Sequence, residues 1–312
     1  MAVGVLLALL TSVSWAFGNV FIQKSGRAIG APRAMLWALF AGGVIAGLLS
    51  LALDVRPAPF TASIFGWAVL AGLAGLLAYV CLFVSFARSP LSLAVPVVSS
   101  WSLISATFSF VAFGELPRLG PLLGAALVIV GVVLVSLGGP RESADVEQAP
   151  PGDAPTAVDR GLAPSGDASA SQEPPARGRL WLAFGSALGF GIMVPAITQV
   201  TPATGEFGAT ALVYGLELAL GIPVARAFGV SLRPPPRALF QLIVITGGVE
   251  TAGFVAIAFA RRYAPMAVVA PVSSLAAALT VLYAWLVLRE RPRRIAAVGA
   301  ALACAGVVAL AT

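Results

Sequence analysis

Histidine is missing from this chain, lysine occurs once, cysteine twice, and only 10% of the residues are charged. Without histidine there is no imidazole to bind a metal, to activate a serine or to shuttle a proton near neutral pH. The two cysteines, Cys81 and Cys304, sit far apart inside apolar runs. They form no metal cluster and read as small buried apolar residues. The shortage of charge is the most restrictive absence. A soluble globular chain carries about 25% charged and about 45–50% apolar residues. Here 59% of 312 residues are hydrophobic and the mean hydropathy is +0.97. A cytosolic enzyme, a secreted disulfide scaffold and a disordered regulator are thereby excluded, and the chain belongs in a lipid bilayer. The net charge of +6 does not point to nucleic acid. The basic residues stand at the ends of hydrophobic segments, where they anchor helices and set orientation.

A helix needs about 20 apolar residues to cross roughly 30 Å of hydrocarbon. Ten such stretches are present, at 3–22, 33–53, 65–87, 91–113, 118–138, 179–199, 208–228, 238–260, 265–288 and 293–311. In lipid each backbone must satisfy its own hydrogen bonds, so the spans are helices and the expected fold is all-α. The alternating pattern of a membrane barrel is absent. The first run lacks an A-x-A-like cleavage site, and Trp15, Asn19 and Lys24 continue it, so it reads as a retained span. Residues 139–178 contrast with all of this, holding seven prolines, seven acidic residues and hardly any large apolar side chain. Such a segment cannot bury enough surface to offset its ordering entropy, so it reads as a disordered linker between residues 1–138 and 179–312.

The two parts repeat. Pro90, Pro96, Glu115, Pro117, Gly124 and Gly131 recur as Pro265, Pro271, Glu290, Pro292, Gly299 and Gly306, each displaced by 175 positions. Phe86-Ala87-Arg88 matches Phe259-Ala260-Arg261, Gly75 matches Gly248, and Phe17-Gly18 matches Phe190-Gly191, all displaced by 173. A five-helix unit crosses the membrane an odd number of times, so its second copy is inverted relative to the first. Inverted repeats are a device of secondary transporters, whose substrate site lies between the copies near the midplane. The seven-residue glycine spacing of Gly124, Gly131 and Gly138, and of Gly299 and Gly306, sets small residues along one helical face for close packing in lipid.

Particular segments resemble a known family. Arg262-Tyr263-Ala264-Pro265-Met266-Ala267-Val268-Val269-Ala270-Pro271-Val272-Ser273-Ser274 resembles the fourth helix of each repeat in EamA-type members of the drug/metabolite transporter superfamily. Leu288-Arg289-Glu290-Arg291-Pro292 and its weaker partner Phe113-Gly114-Glu115-Leu116-Pro117 are similar to the junction that follows. Trp15-Ala16-Phe17-Gly18-Asn19, with Lys24 beyond it, is similar to the opening motif. The likeness covers nearly all of the chain except 139–178. It implies ten helices in two inverted repeats, no enzymatic activity, no cofactor, and coupled transport or facilitated exchange of small solutes. It further implies a multi-pass protein of the plasma (bacterial inner) membrane whose partners are a small-molecule substrate and the bilayer. A homodimer is compatible with it, a nucleic-acid partner is not.

The polar residues inside the spans are the candidate site. Glu217 lies near the centre of the seventh span and Glu250 at the centre of the eighth. Inserting an ionisable group at that depth costs about 2.5–3.5 kcal/mol on the translocon scale. An aqueous cavity, a partner or a neutral carboxyl is therefore expected at each. Tyr214, one turn before Glu217, shares its face, and the pair suits a ligand amine or a proton. The structural alternative is a protonated acid hydrogen-bonded to a neighbouring helix. Asn19, Gln23 and Gln199 either line the same cavity or bridge helices. Pro96 and Pro271 interrupt the fourth helix of each repeat, and the freed carbonyls with Ser99, Ser100, Ser273 and Ser274 either face substrate or merely mark a kink. Trp15, Trp101 and Tyr283 are candidate cavity aromatics, whereas Trp37 and Trp181 fit packing or interface belts. Glu115 and Glu290 read as helix caps or salt-bridge partners, and Lys24 as a residue snorkelling at a helix end. The run Gly18 to Ser25 approaches a phosphate-binding loop but has Gln23 in place of the second glycine and follows a membrane span, so it is set aside.

Orientation carries a conflict. Of the 19 basic residues, Arg56, Arg118, Arg261 and Arg262 fall on the side of the termini and the remaining 15 on the other. The positive-inside rule then puts both termini outside, whereas the family resemblance implies both inside. The function expected is a secondary transporter, acting as an exporter of a small organic metabolite or drug-like solute by alternating access, with proton coupling through Glu217 or Glu250. An uncoupled facilitator, or a receptor or assembly component using a transporter fold, is the alternative. No aspartate lies in any span, so a paired-aspartate intramembrane protease is excluded.

Overall fold

The computed structural model describes residues 1–54, 59–89, 91–115, 119–137, 176–280, 282 and 294–311. The proline- and acid-rich stretch up to residue 175, together with Pro90, Pro117, Tyr283, Glu290 and Pro292, lies outside these. All regular structure among the described residues is helical. The elements are α1 (Ala2–Ile29), α2 (Ala31–Leu53), α3 (Ala62–Arg88), α4 (Leu91–Ser99), α5 (Trp101–Phe113), α6 (Leu119–Leu137), α7 (Ala176–Thr198), α8 (Thr201–Ala227), α9 (Arg237–Ala260), α10 (Met266–Ser273) and α11 (Arg294–Ala311). A short helical stretch, 276–280, follows α10. Six of these helices are long and apolar enough to cross a membrane. Their outward residues are large and apolar, with Leu6 65%, Leu51 78% and Val111 76% exposed, which only a lipid surround makes favourable.

The helix ends follow local chemistry. α1 stops at Gly30, whose φ of 87° favours glycine, and Pro32 opens α2. At the equivalent joint of the second half Gly205 has φ 76°, so the regular part of α8 begins one residue later. That end is capped from the other half, where Asp54 accepts hydrogen bonds from the backbone N–H groups of Phe207 (3.4 Å) and Gly208 (2.6 Å). A carboxylate there satisfies orphan donors and opposes the positive end of the helix dipole. α3 is capped by Thr61, which accepts from the Ile64 amide.

One expectation is corrected. The fourth helix of each repeat is not a single kinked rod. The first breaks at Ser100 into α4 and α5, and the second turns at Ser274 and Leu275 before 276–280. Each interruption falls three to four residues beyond Pro96 or Pro271, where the chain tightens into i→i−3 bonds, Ser100 N–H to the Val97 carbonyl and Leu275 N–H to the Val272 carbonyl.

The halves pack as images of one another. The 173-residue displacement carries α1 onto α7 and α3 onto α9, and the structure packs α1 on α9 and α7 on α3. α6 packs on α11, and here glycine is required on both sides. A Cβ on Gly131 would lie 2.5 Å from the Gly299 carbonyl and the Ala303 amide, and one on Gly306 would lie 2.7 Å from the Gly124 carbonyl and the Val128 amide. Gly124 and Gly299, like Gly131 and Gly306, are repeat partners, so the contact is self-complementary and allows backbone-to-backbone packing. Side-chain hydroxyls stitch α1 into the second half. Thr11 donates to the Gly253 carbonyl (3.2 Å) and Ser12 to the Val272 carbonyl (2.6 Å).

Candidate functional site

The two helix breaks meet. Ser274 Oγ donates to the Ser99 carbonyl at 3.2 Å, and these residues are repeat partners 175 positions apart. Beside this junction lies a narrow, partly open cavity of about 40 Å³. Its walls are Trp15 and Asn19 of α1, Leu82 of α3, Val95, Val98 and Ser99 of α4, and Trp101 of α5. Phe190 of α7, Glu250 and Phe254 of α9, and Ala276 complete them. Both halves therefore contribute.

Among the described residues of that wall, Glu250 is the one that is formally charged. It is 6% exposed, and Gly18 of α1 leaves room for its carboxylate, since a Cβ there would overlap Oε1. Tyr79 of α3 donates its hydroxyl to Glu250 Oε2 at 3.4 Å, and the Tyr79 and Tyr214 hydroxyls are 3.0 Å apart. A phenol has a single proton. While Tyr79 gives its proton to Glu250, Tyr214 must be the donor to Tyr79. If Glu250 itself carries a proton, the whole chain can run the other way. Tyr79 and Tyr214 are each about 1% exposed, and their rings join Phe190 and Phe254 in one aromatic cluster.

Glu217 occupies a second, separate position. It is fully buried, and among the described residues neither carboxylate oxygen has a hydrogen-bond partner. Gly75 makes the space for it, because a Cβ there would overlap Oε1 and approach Met193 Sδ to 3.0 Å. Gly18 and Gly75 are both repeat glycines, and each first-half copy accommodates a second-half glutamate. A buried carboxyl without a partner is costly, so this arrangement is not explained by packing alone.

Of the other candidates, Trp15, Asn19, Ser99 and Trp101 join Glu250 in the cavity wall, and Asn19 Nδ2 donates to Thr280 Oγ1 at 3.1 Å. Pro271 and Ser274 are buried at the break. The backbone of Pro96 lies in α4, and its side chain is outside the described set. Gln23 bridges helices, donating to the Phe86 and Ser89 carbonyls, and Gln199 stands in the turn between α7 and α8. Trp37 donates to the Arg233 carbonyl, and Trp181 is exposed. Lys24 is exposed as well. Glu115 pairs with Arg261 and accepts from the Met266 amide at 3.2 Å. This bond links the halves at the same end of the bundle as the Asp54 cap, where Glu206 also holds Arg262. At the opposite end Arg33 donates to the Arg233 and Pro234 carbonyls (2.9 and 2.7 Å). Sequence reasoning missed Tyr79, Phe190, Phe254 and Thr280. A lone phenol in the middle of the third span was the available signal for Tyr79.

Apolar helices in two repeat halves, with interrupted helices meeting at a shared cavity, define a polytopic membrane protein. The model of the EamA-like transporter family matches residues 2–137 and 178–312, one match in each half. The chain belongs to the EamA-like transporter family, within the drug/metabolite transporter superfamily, and is a membrane transporter of that type. A protein of known crystal structure superposes with a TM-score of 0.68 over 98% of this chain and 95% of its own, at 18% identity. That likeness speaks for the fold alone. No curated protein matches by sequence.

Proposed function

We propose that the protein is a secondary transporter that exports a small organic metabolite or drug-like solute across the plasma membrane by alternating access, in exchange for protons held on Glu250 and Glu217. The observation that carries this reading is a carboxylate in the wall of a cavity shared by both halves, beside the two touching helix breaks. Solute and proton compete for Glu250. The Tyr79–Tyr214 pair relays changes in its protonation toward α8, where Glu217 is a second proton holder. Pro96, Pro271 and Ser274 mark the interruptions about which the halves 1–138 and 179–312 exchange conformations, with 139–178 as their tether. For the cavity to open, the Glu115–Arg261 and Asp54–α8 contacts at one end must alternate with the Arg33 contacts at the other. The described walls come from one chain, so the reading does not require the homodimer that the sequence leaves open.

The test is flux in proteoliposomes holding a trapped pH dye, challenged with amino acids and small cations. The expected result is solute-dependent proton movement in the wild type, abolished in Glu250→Gln and reduced in Glu217→Gln. Equal crossing of labelled solute with and without a pH gradient, kept by both variants, would make the protein an uncoupled facilitator instead.

A further inference from the structure

We infer that a groove on the outside of the bundle, between α1, α2, α8 and α9, binds one acyl chain of an anionic phospholipid, with the lipid phosphate at Arg262. This site is separate from the solute cavity and does not depend on the transport reading. The groove has a volume of about 350 Å³, against about 40 Å³ for the central cavity. Leu10 of α1, Leu49 of α2 and Phe207 of α8 border it, together with the surface of α9 from Gly248 to Phe259. Leu10 is 54% exposed, so the groove opens to the surrounding hydrocarbon. Thr251 is the polar side chain in its described wall, and the hydroxyl already donates to the Gly247 carbonyl at 2.8 Å. Walls of this kind gain by contact with hydrocarbon.

Length and charge select the occupant. From Gly248, in the middle of α9, to Phe259, next to its last residue, the groove runs about 16 Å at about 1.5 Å per residue. That is about half of the roughly 30 Å hydrocarbon thickness, the depth of one leaflet. At the outer end the Phe207 and Phe259 rings meet at 6.0 Å, and the Arg262 guanidinium lies over the Phe259 ring at 5.3 Å. The Arg262 side chain is 56% exposed and that of its partner Glu206 3%, so the cation is the charge presented outward. Glu206 takes two of the five guanidinium N–H donors, and the nearby Asp54 is engaged by the Phe207 and Gly208 amides. A headgroup phosphate at this level meets a guanidinium with donors to spare. The repeat gives an independent reason for the groove. Ala252, Ala256 and Phe259 correspond, 173 positions back, to Tyr79, Phe83 and Phe86, each at most 1% exposed. Where α3 carries two buried rings, α9 carries two methyl groups, and the groove lies beside them.

Native mass spectrometry of the full-length protein, purified in detergent, reads bound lipid directly. Phosphatidylglycerol and phosphatidylcholine with identical acyl chains are the two probes. The wild type is expected to hold one phosphatidylglycerol, roughly fivefold or more tighter than phosphatidylcholine, in line with a charge-assisted phosphate contact. Ala256→Phe and Ala252→Tyr, which give α9 the side chains of α3, should each weaken both lipids by about tenfold or more, because the chain loses its seat. Arg262→Gln should bring phosphatidylglycerol down to the phosphatidylcholine level and leave the latter unchanged. Leu123→Phe, on the exposed face of α6, should change neither. Phosphatidylglycerol with a diazirine on its acyl chain needs no variant, and its cross-links to wild-type protein are expected on Leu49 and on α9 between Gly248 and Phe259. Equal affinity for the two headgroups overturns the inference, as does unchanged binding in both filled variants. So do cross-links spread evenly over the outer helix faces, or no lipid retained by folded protein. None of these outcomes alters the flux expected of Glu250→Gln, so failure of this site and failure of the transport reading are separately visible.

Discussion

Replacing Tyr79 with phenylalanine removes one oxygen from the centre of the molecule and leaves the ring contacts with Phe190, Phe254, Phe83 and Tyr214 in place. Two interactions disappear, the 3.0 Å bond with Tyr214 and the 3.4 Å bond to Glu250. Tyr214 is about 1% exposed but keeps its side-chain hydrogen bond with Thr251, so the cost is that of the two lost bonds, about 1–3 kcal/mol at about 0.5–1.5 kcal/mol each. Glu250 faces the cavity and is partly spared. Tyr214→Phe deletes only the outer donor and keeps the bond from Tyr79 to Glu250, for an expected cost of about 0.5–1.5 kcal/mol. The 3.0 Å bond is lost in either single variant and only once in the double variant. The double change should therefore cost less than the two single changes added, giving a coupling of roughly 1 kcal/mol between the two sites. Equilibrium unfolding in detergent micelles, titrated with SDS and followed by tryptophan fluorescence, measures all four corners of the cycle. Additivity within about 0.5 kcal/mol would refute a shared hydrogen-bonded chain.

Close packing makes a separate prediction for glycine. Gly131→Ala forces a methyl group to within 2.5 Å of the α11 backbone and should destabilise by about 1–3 kcal/mol. Gly47→Ala meets nothing within 4 Å in the middle of α2 and should instead gain about 0.5–1 kcal/mol. Indistinguishable unfolding midpoints for the two variants would refute the α6–α11 contact. On orientation, the charge count predicts that Ser169→Cys, in the segment between the halves, faces the cytoplasm and resists a membrane-impermeant maleimide in intact cells. Labelling there would put both termini inside, as the family resemblance implies.

The spans were legible because a bilayer leaves no substitute for length and apolarity, and nearly every observed helix begins and ends within a few residues of its expected place. α7 starts at Ala176 and α8 at Thr201, earlier than hydropathy alone suggested, because a helix does not stop where hydrocarbon does. The fourth helix of each repeat was harder. Pro96 and Pro271 announced a disturbance, but a kink and a full interruption differ only in whether the following turn recovers its hydrogen bonds. At the site, Glu217 and Glu250 stood out through their cost, yet the sequence did not tell them apart. The difference arises from which helix each one faces. Glu250 meets a cavity and a tyrosine, while Glu217 meets Gly75 and Met193. The repeat also hid an asymmetry. Phe17 and Phe190 are equivalent by position, but Phe17 is 46% exposed and Phe190 7%, so an internal match alone does not assign a residue to the cavity.

Alternating access requires that α2 and α8 part where Asp54 caps the α8 N-terminus. In a chain with Cys81 and Cys304 replaced, Asp54→Cys with Gly208→Cys sets two thiols at that contact, where a Cβ on residue 208 would lie 3.3 Å from Asp54 Oδ2. Solute flux in proteoliposomes should stop when a short, reducible bifunctional reagent bridges the pair, and return on reduction. Undiminished flux through fully cross-linked protein would contradict the account.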